Sequence, residues 1–312
     1  MNTGTFNKYR KELNIMNREG VSVCITAYKA KDYIKECLDS VVGQTWFKNN
    51  DEFEIIVGID GCQETLEYMK TIMNNYKNLR VLMMDSNKGT YITSNTIMSI
   101  AKYENIFRFD SDDIMCSNLI ETVMQNRGSS VFIRYCFQDF ACEKKGVGWA
   151  HGTIYIKKPV FMRYGGFRPW PCSADTELYY RLKNIVGVKN LNQILMMRRV
   201  HDASLTHNKK TGMQSDIRKR YKKIISDMRI YKHTDAVIVM KTNTFREISV
   251  DRNNNADEYM KSLEEVKTIQ KEPEVKPVQR KVNPIVKLRE DIQAGRVVKV
   301  PTTNGFVWRR VK

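Results

Sequence analysis

Apolar residues in the first third of the chain fall into two alternating patterns. Val21–Ala27 is a largely apolar run of strand length, and Phe53–Ile59, Leu79–Met84 and Ile106–Phe109 repeat it. Runs of this kind suit strands buried on both faces. Between them the apolar positions recur every three or four residues. Ile34, Cys37, Leu38 and Val41 predict a helix within Ala30–Val42; Leu66, Met69, Ile72, Met73 and Tyr76 predict a second; Ile92–Lys102 predicts a third. The resulting β-α-β-α-β-α-β order predicts an α/β fold, a doubly wound and mostly parallel sheet, because parallel neighbours need a crossover between them. Ligands of such sheets bind beyond the carboxyl ends of the strands, where Asp60 and Asp110 stand.

The rest of the chain is patterned differently. Residues 130–200 mix strand and helix signals, with a helix expected over Asp175–Ile185 after the loop Gly165–Cys172. Ser215–Tyr231 reads as a basic amphipathic helix whose apolar stripe is Ile217, Tyr221, Ile224, Ile225, Met228 and Tyr231. Pro273, Pro277 and Pro284 punctuate charged sequence, so Lys271–Asn283 is expected to be extended. Ile285–Gln293 reads as a helix. Arg296–Val300 and Phe306–Val311 read as a hairpin turning at Asn304-Gly305. These boundaries predict a catalytic-size domain over 1–210, a basic helical and strand extension over 211–270, a linker over 271–284 and a small basic module over 285–312.

Composition narrows the class. Hydrophobic residues make up 42% of 312, enough for a substantial core. No apolar stretch is long enough to span a membrane, and the first residues lack the apolar run of a secretory signal. The seven cysteines form no Cys-x-x-Cys pair. They are expected to be reduced thiols of a cytoplasmic protein, Cys24 and Cys37 within the core. The formal charge of +17 predicts attraction to polyanions.

The most distinctive chemical feature is Asp110-Ser111-Asp112-Asp113 after a strand. Carboxylates crowded there repel one another unless a cation neutralises them, and Mg²⁺ or Mn²⁺ does so while bridging to a diphosphate. A helix cap at Asp113 explains part of the same pattern.

Val21-Ser-Val-Cys-Ile-Thr-Ala-Tyr28, Tyr33–Thr45, Glu54-Ile-Ile-Val-Gly-Ile-Asp-Gly61, Asn87-Lys-Gly89 with Asn95, and the Asp110–Asp113 segment occur in that order. Gly165-Gly-Phe167, Asp175-Thr-Glu-Leu-Tyr-Tyr-Arg181 and Arg199-Val-His-Asp-Ala-Ser-Leu-Thr206 follow. Together they resemble the family 2 glycosyltransferases of the GT-A fold over roughly residues 20–207. The resemblance implies an inverting, metal-dependent transfer from a UDP-sugar or other nucleotide-sugar. It implies that Asp112 and His201 bind Mn²⁺ or Mg²⁺, with Asp110 at the donor ribose or at the metal through water. Thr26, Tyr28, Asp60 and Asn95 are implied around the nucleotide-sugar. Asp175 occupies the base position, and Glu177 is a second candidate base. The sequence departs from the family pattern at Ala27, Ile59, Ser94 and Ala174, where Pro, an acid, Arg and an acid are usual.

The acceptor is read from charge. Residues 205–232 carry nine Lys/Arg against two Asp/Glu, and residues 276–312 carry ten against two. Arg218, Lys219, Lys222 and Lys223, with Trp308, Arg309 and Arg310, are expected to face a nucleic acid: cations track phosphates and aromatics stack on bases. The expected acceptor is DNA with hydroxymethylated pyrimidines, as in bacteriophages. The alternatives are a cytoplasmic transferase for surface polysaccharide or lipid-linked glycan whose basic helix rests on an anionic membrane surface, and a nucleic-acid-binding protein on an inactive glycosyltransferase scaffold.

Overall fold

The two apolar periods become strands and helices of the expected kind. A computed structural model of the protein describes residues 20–143, 145–183, 185–230, 240–249, 297–302 and 305–310. The chain divides into two compact units, Met1–Asn253 and Asn254–Lys312.

In the first unit, β1 (Val21–Ala27), α1 (Ile34–Val42), β2 (Phe53–Ile59), α2 (Gln63–Ile72), β3 (Leu79–Met84), α3 (Thr90–Ser99) and β4 (Asn105–Asp110) follow one another. Their strands lie in the order β3-β2-β1-β4, all parallel. β1 sits centrally and is buried along its whole length, as its apolar run requires. Gly58 lets α3 approach β2: a Cβ there would lie 2.7 Å from Ile97 Cγ2 and 2.9 Å from Thr93 Cγ2.

The second half builds the other side of the same sheet. β5 (Ile114–Met115), α4 (Leu119–Asn126), β6 (Phe132–Phe140), β7 (Val147–Trp149), β8 (Ile154–Lys157), α5 (Lys158–Arg163), α6 (Ala174–Lys183) and β9 (Lys189–Arg199) come in that order. β8 runs antiparallel to both β4 and β6, β6 pairs parallel with β9, and β5 and β7 attach antiparallel to β9 and β6. Two apolar clusters cover the two faces of the sheet. One is centred on Ile25, Val57, Phe107 and the apolar sides of α1 and α2; the other is centred on Ile56, Phe161, Phe167 and Leu178.

Two expectations are corrected here. Residues 211–249 are not a separate extension. After α7 (Asp216–Ile230), β10 (Phe245–Glu247) adds antiparallel to β3 and closes that sheet edge. Arg80 and Glu247 pair at 2.9 and 3.2 Å, Ile248 N–H reaches Val81 O at 2.8 Å, and Asn243 donates to Thr96 Oγ1 and Ser86 O. The stripe of α7 also departs from expectation at its first turn. Ile217 is exposed, while Arg218 points inward beside Ile225, and Tyr221 stacks on Trp170 at 4.5 Å. The hydrogen-bonding needs of the preceding turn decide this. Arg218 satisfies the carbonyls of Thr211 and Leu205 at 2.6 and 2.7 Å, which an apolar residue cannot do.

In the second unit, β11 (Val297–Thr302) and β12 (Gly305–Arg310) form the expected hairpin, with Trp308 opposite Lys299 and Arg309 opposite Val298. The linker Lys271–Asn283 and the helix expected at Ile285–Gln293 lie outside the described residues.

Candidate active site at the strand ends

The carboxyl ends of β1, β2 and β4 meet in register, Thr26 lying between Gly58 and Asp110. Beneath them lies a residue that the sequence reading passed over. Arg108 is 2% exposed, in the middle of an apolar strand. Its guanidinium donates to Ser94 Oγ, Thr26 Oγ1, Thr90 Oγ1 and Gly152 O at 2.8–3.2 Å. It also grips both oxygens of Asp110, at 2.7 and 2.6 Å. This double-ended pair fixes the orientation of Asp110. Burial pushes the Asp110 carboxyl upward, Arg108 pulls it back, and Asp112 adds to the upward push. The signal that could have found Arg108 is a cation inside Ile106–Phe109, two residues before the acidic segment. Such a residue must be paired to be buried.

Asp113 turns inward. It is 5% exposed, and its Oδ1 accepts the backbone N–H of Arg199 at 2.9 Å. Burial first, and then Asp112 and Asp110, raise its carboxyl well above the usual range. The contact ties the acidic turn to the end of β9. The two residues after β9 then carry His201 to Asp112, with Nε2 and Oδ2 at 2.9 Å. Tyr33 flanks the imidazole, ring centroids 4.9 Å apart, and Arg199 lies over the same tyrosine. A carboxylate oxygen and an imidazole nitrogen are donors that suit Mn²⁺. Among the described residues no group of three or more His, Cys, Asp or Glu side chains could hold a metal ion. A cation at Asp112 and His201 would therefore complete its shell with water and with oxygens of a diphosphate, as Mg²⁺ and Mn²⁺ do.

Asp175 stands in the first turn of α6, half-buried, and accepts a hydrogen bond from Tyr91 Oη at 3.0 Å. Burial and the Asp175 charge push the Tyr91 phenol well up, so it stays a donor. The space between Asp110 and Asp175 is kept open by Gly152. A Cβ at that position would lie 3.1 Å from Arg108 Nη1, 3.3 Å from Asp110 Oδ2 and 3.6 Å from Asp175 Oδ2.

Four expected site residues have other work. Asp60 is 3% exposed and takes three hydrogen bonds at 2.9 Å, from Lys88 N, Gly89 N and Thr93 Oγ1. These bonds pin the entrance to α3. Gly61 (φ 65°) makes the matching turn, where a Cβ would lie 2.3 Å from Asn87 N. Asn95 is fully buried. It donates to Phe167 O and Lys241 O and accepts Phe167 N–H, all at 2.8–3.0 Å, so it clamps the loop before α6 and leaves nothing for a nucleotide. Glu177 is 1% exposed and paired with Arg181 and Arg168, which removes it as a base. Arg218 is committed to the turn described above. Of the remaining expected residues, Thr26 is buried against Arg108, Tyr28 stands 49% exposed just past β1, and Lys219, Lys222 and Lys223 are exposed on α7.

The order of strands and helices, with the acidic turn at the end of a parallel strand, is that of a fold of the GT-A type. Residues 22–158 match the family described as glycosyl transferase family 2. The hyaluronan synthase of Pasteurella multocida is 28% identical over 233 residues, covering 66% of this chain and 23% of its own length. The chain thus spans about a quarter of that relative. Among solved structures, S. aureus TarS 1–349 in complex with UDP-GlcNAc superposes with a TM-score of 0.53 at 17% identity, over 59% of this chain and 60% of that one. The mannosyltransferase PcManGT of Pyrobaculum calidifontis, in complex with GDP-Man and Mn²⁺, gives 0.51 at 12% identity, over 65% and 68%. At these identities the two structures establish the shared fold.

Proposed function

We propose that the protein is an inverting, metal-dependent glycosyltransferase that moves a sugar from a nucleoside-diphosphate sugar to a hydroxyl of a polymer. The reading rests on the pairing of Asp112 with His201 at the acidic turn and on the approach of Asp110 and Asp175 to the same point at Gly152.

In this reading Thr26 and Tyr28 line the nucleotide. Asp112 and His201 hold the divalent cation, which supplies charge stabilisation for the leaving diphosphate. Arg108 keeps Asp110 aimed at the donor. Asp175, held by the Tyr91 hydroxyl, takes the acceptor proton as the acceptor oxygen bonds to the anomeric carbon and the bond to the diphosphate breaks. TarS bound to UDP-GlcNAc and PcManGT bound to GDP-Man with Mn²⁺ support the donor class and the cation. The hyaluronan synthase supports a glycan acceptor.

A second reading keeps the enzyme and makes DNA the acceptor. It rests on the exposed cations Lys219, Arg220, Lys222 and Lys223 of α7 and on Trp308, Arg309 and Arg310 of β12. The withdrawal of Arg218 into the protein weakens it. Among the described residues no helix is long and apolar enough to cross a membrane. An anionic membrane surface against α7 is the remaining alternative.

The test is an activity screen with Mn²⁺, a panel of nucleotide-sugars, and either glycan oligomers or DNA with and without 5-hydroxymethylcytosine. Products are read by mass spectrometry. A sugar mass added to a glycan supports the first reading, and one added only to hydroxymethylated DNA supports the second. If no donor is consumed with any cation, the transferase reading fails.

A further inference from the structure

A second built cluster adjoins the base, outside the donor residues. Arg134 projects from β6, half-exposed, with its guanidinium carbon 4.5 Å from the Trp149 ring centroid and 4.1 Å from that of Tyr179. Trp149 ends β7, and Tyr179 lies one helical turn beyond Asp175 on α6. Nε of Arg134 donates to Asn190 Oδ1 at 2.7 Å, and one Nη donates to His151 Nε2 at 2.7 Å. An arginine can only donate, so His151 accepts at Nε2 and carries its proton on Nδ1. Burial lowers the His151 imidazole, the nearby Asp175 charge opposes this, and Arg134 adds to the lowering, which keeps the ring neutral. His151 in turn precedes Gly152, the residue that keeps the space between Asp110 and Asp175 open.

Two features mark this cluster as more than packing. Among the described residues Arg134 has no carboxylate partner, although it is bracketed by two rings and two hydrogen bonds. The two rings and two hydrogen bonds also hold the guanidinium in place, and it keeps further N–H donors beyond those two bonds. A fixed fork of this kind matches a carboxylate or phosphate in two-pronged fashion.

We infer that Arg134, with Trp149, Tyr179 and His151, forms an acceptor subsite for a carbohydrate chain bearing an oxyanion next to the hydroxyl that is glycosylated. The inference rests on the transferase reading and specifies its acceptor as an acidic glycan or a polyol-phosphate chain. Arg134 binds the oxyanion, and Trp149 offers an apolar face to the neighbouring sugar or polyol. The accepting hydroxyl then falls at Asp175.

The test is a calorimetric titration of the full chain in Mn²⁺ and a nucleoside diphosphate, UDP and then GDP. The probes are a hyaluronan hexasaccharide, a glycerol-phosphate oligomer, neutral chitotriose and a DNA duplex. At least one of the two anionic carbohydrate-type probes should bind tenfold or more tighter than chitotriose, and which one binds tells carboxylate from phosphate. Arg134→Gln should erase that preference and Arg134→Lys should retain part of it, while nucleoside diphosphate affinity stays unchanged in both and reports an intact fold. Equal binding of chitotriose, binding of DNA alone, binding of no probe, or an unaltered preference in Arg134→Gln would overturn the subsite. If neither nucleoside diphosphate binds the unaltered protein, the transferase reading falls, and the subsite with it.

Discussion

His201 Nε2 and Asp112 Oδ2 lie 2.9 Å apart, although 89 positions separate the two residues in sequence. Asp113 brings them together by holding the Arg199 backbone, so one acidic side chain of the turn is structural while its neighbour is free for a cation. Asp112→Ala is therefore expected to abolish Mn²⁺-dependent transfer while leaving the thermal midpoint close to that of the unaltered protein. Full activity in the variant would remove Asp112 from the cation site.

The same division of labour gives a pH prediction. The Asp113 carboxyl is raised well above the usual range, first by burial. Its protonated form thus favours the folded state. That contribution is fully present below the ordinary carboxylate range and is lost as pH rises through the raised value. Asp113→Asn keeps an oxygen for the Arg199 N–H and removes the ionisation. Denaturant melts should show the variant gaining stability relative to the unaltered protein as pH climbs out of the acid range, then a constant difference. A gain confined to acid pH would contradict this sign.

Asp175→Asn keeps the contact with Tyr91 but cannot take a proton. Its kcat should fall by about 10²–10⁴-fold, the usual range for loss of a general base, with donor affinity intact. A change in donor affinity alone, read from separate kcat and KM values, would assign Asp175 to binding instead.

Gly152→Val should fill the opening beside Asp110 and Asp175. Transfer is expected to drop at least tenfold with little change in fold, and Gly152→Ala, whose Cβ meets Arg108 at 3.1 Å, should fall between. Steady-state rates and a thermal melt separate this from general destabilisation. Equal rates across the series would show that reacting groups do not pass there.

Asn95→Ala predicts the opposite profile. It strands the Phe167 N–H and C=O in the interior, at about 1–3 kcal/mol for each buried unpaired group, and releases Lys241 O. Chemical denaturation should show the loss, while KM for the donor in the folded protein stays put. A selective rise in KM would restore Asn95 to the donor site.

The parallel half of the sheet was legible because strands buried on both faces are nearly pure apolar runs. The antiparallel half was not: β6, β7 and β9 are partly exposed and carry mixed residues such as Arg134, Gln138 and Asn192. In the site, His201 meets Asp112 at the acidic turn, and Asp175 comes near Asp110 from its helix. Asp60, Asn95, Glu177 and Arg218 show where residue type alone misleads. Each is polar and stands in a motif or a basic segment, but burial and saturated hydrogen bonds give it a structural task. Arg108 escaped notice for the converse reason, a charge hidden within an apolar strand.

The strap that returns to β3 also changes where the chain can be cut. A protein shortened after residue 210 would bare the β3 edge, a row of unpaired N–H and C=O groups that invites sheet-to-sheet aggregation. It would also strip Asn95 of its Lys241 acceptor. A cut between the two units, beyond Ile248, keeps that edge sealed. A protein ending there asks what the hairpin contributes while β10 still pairs with β3.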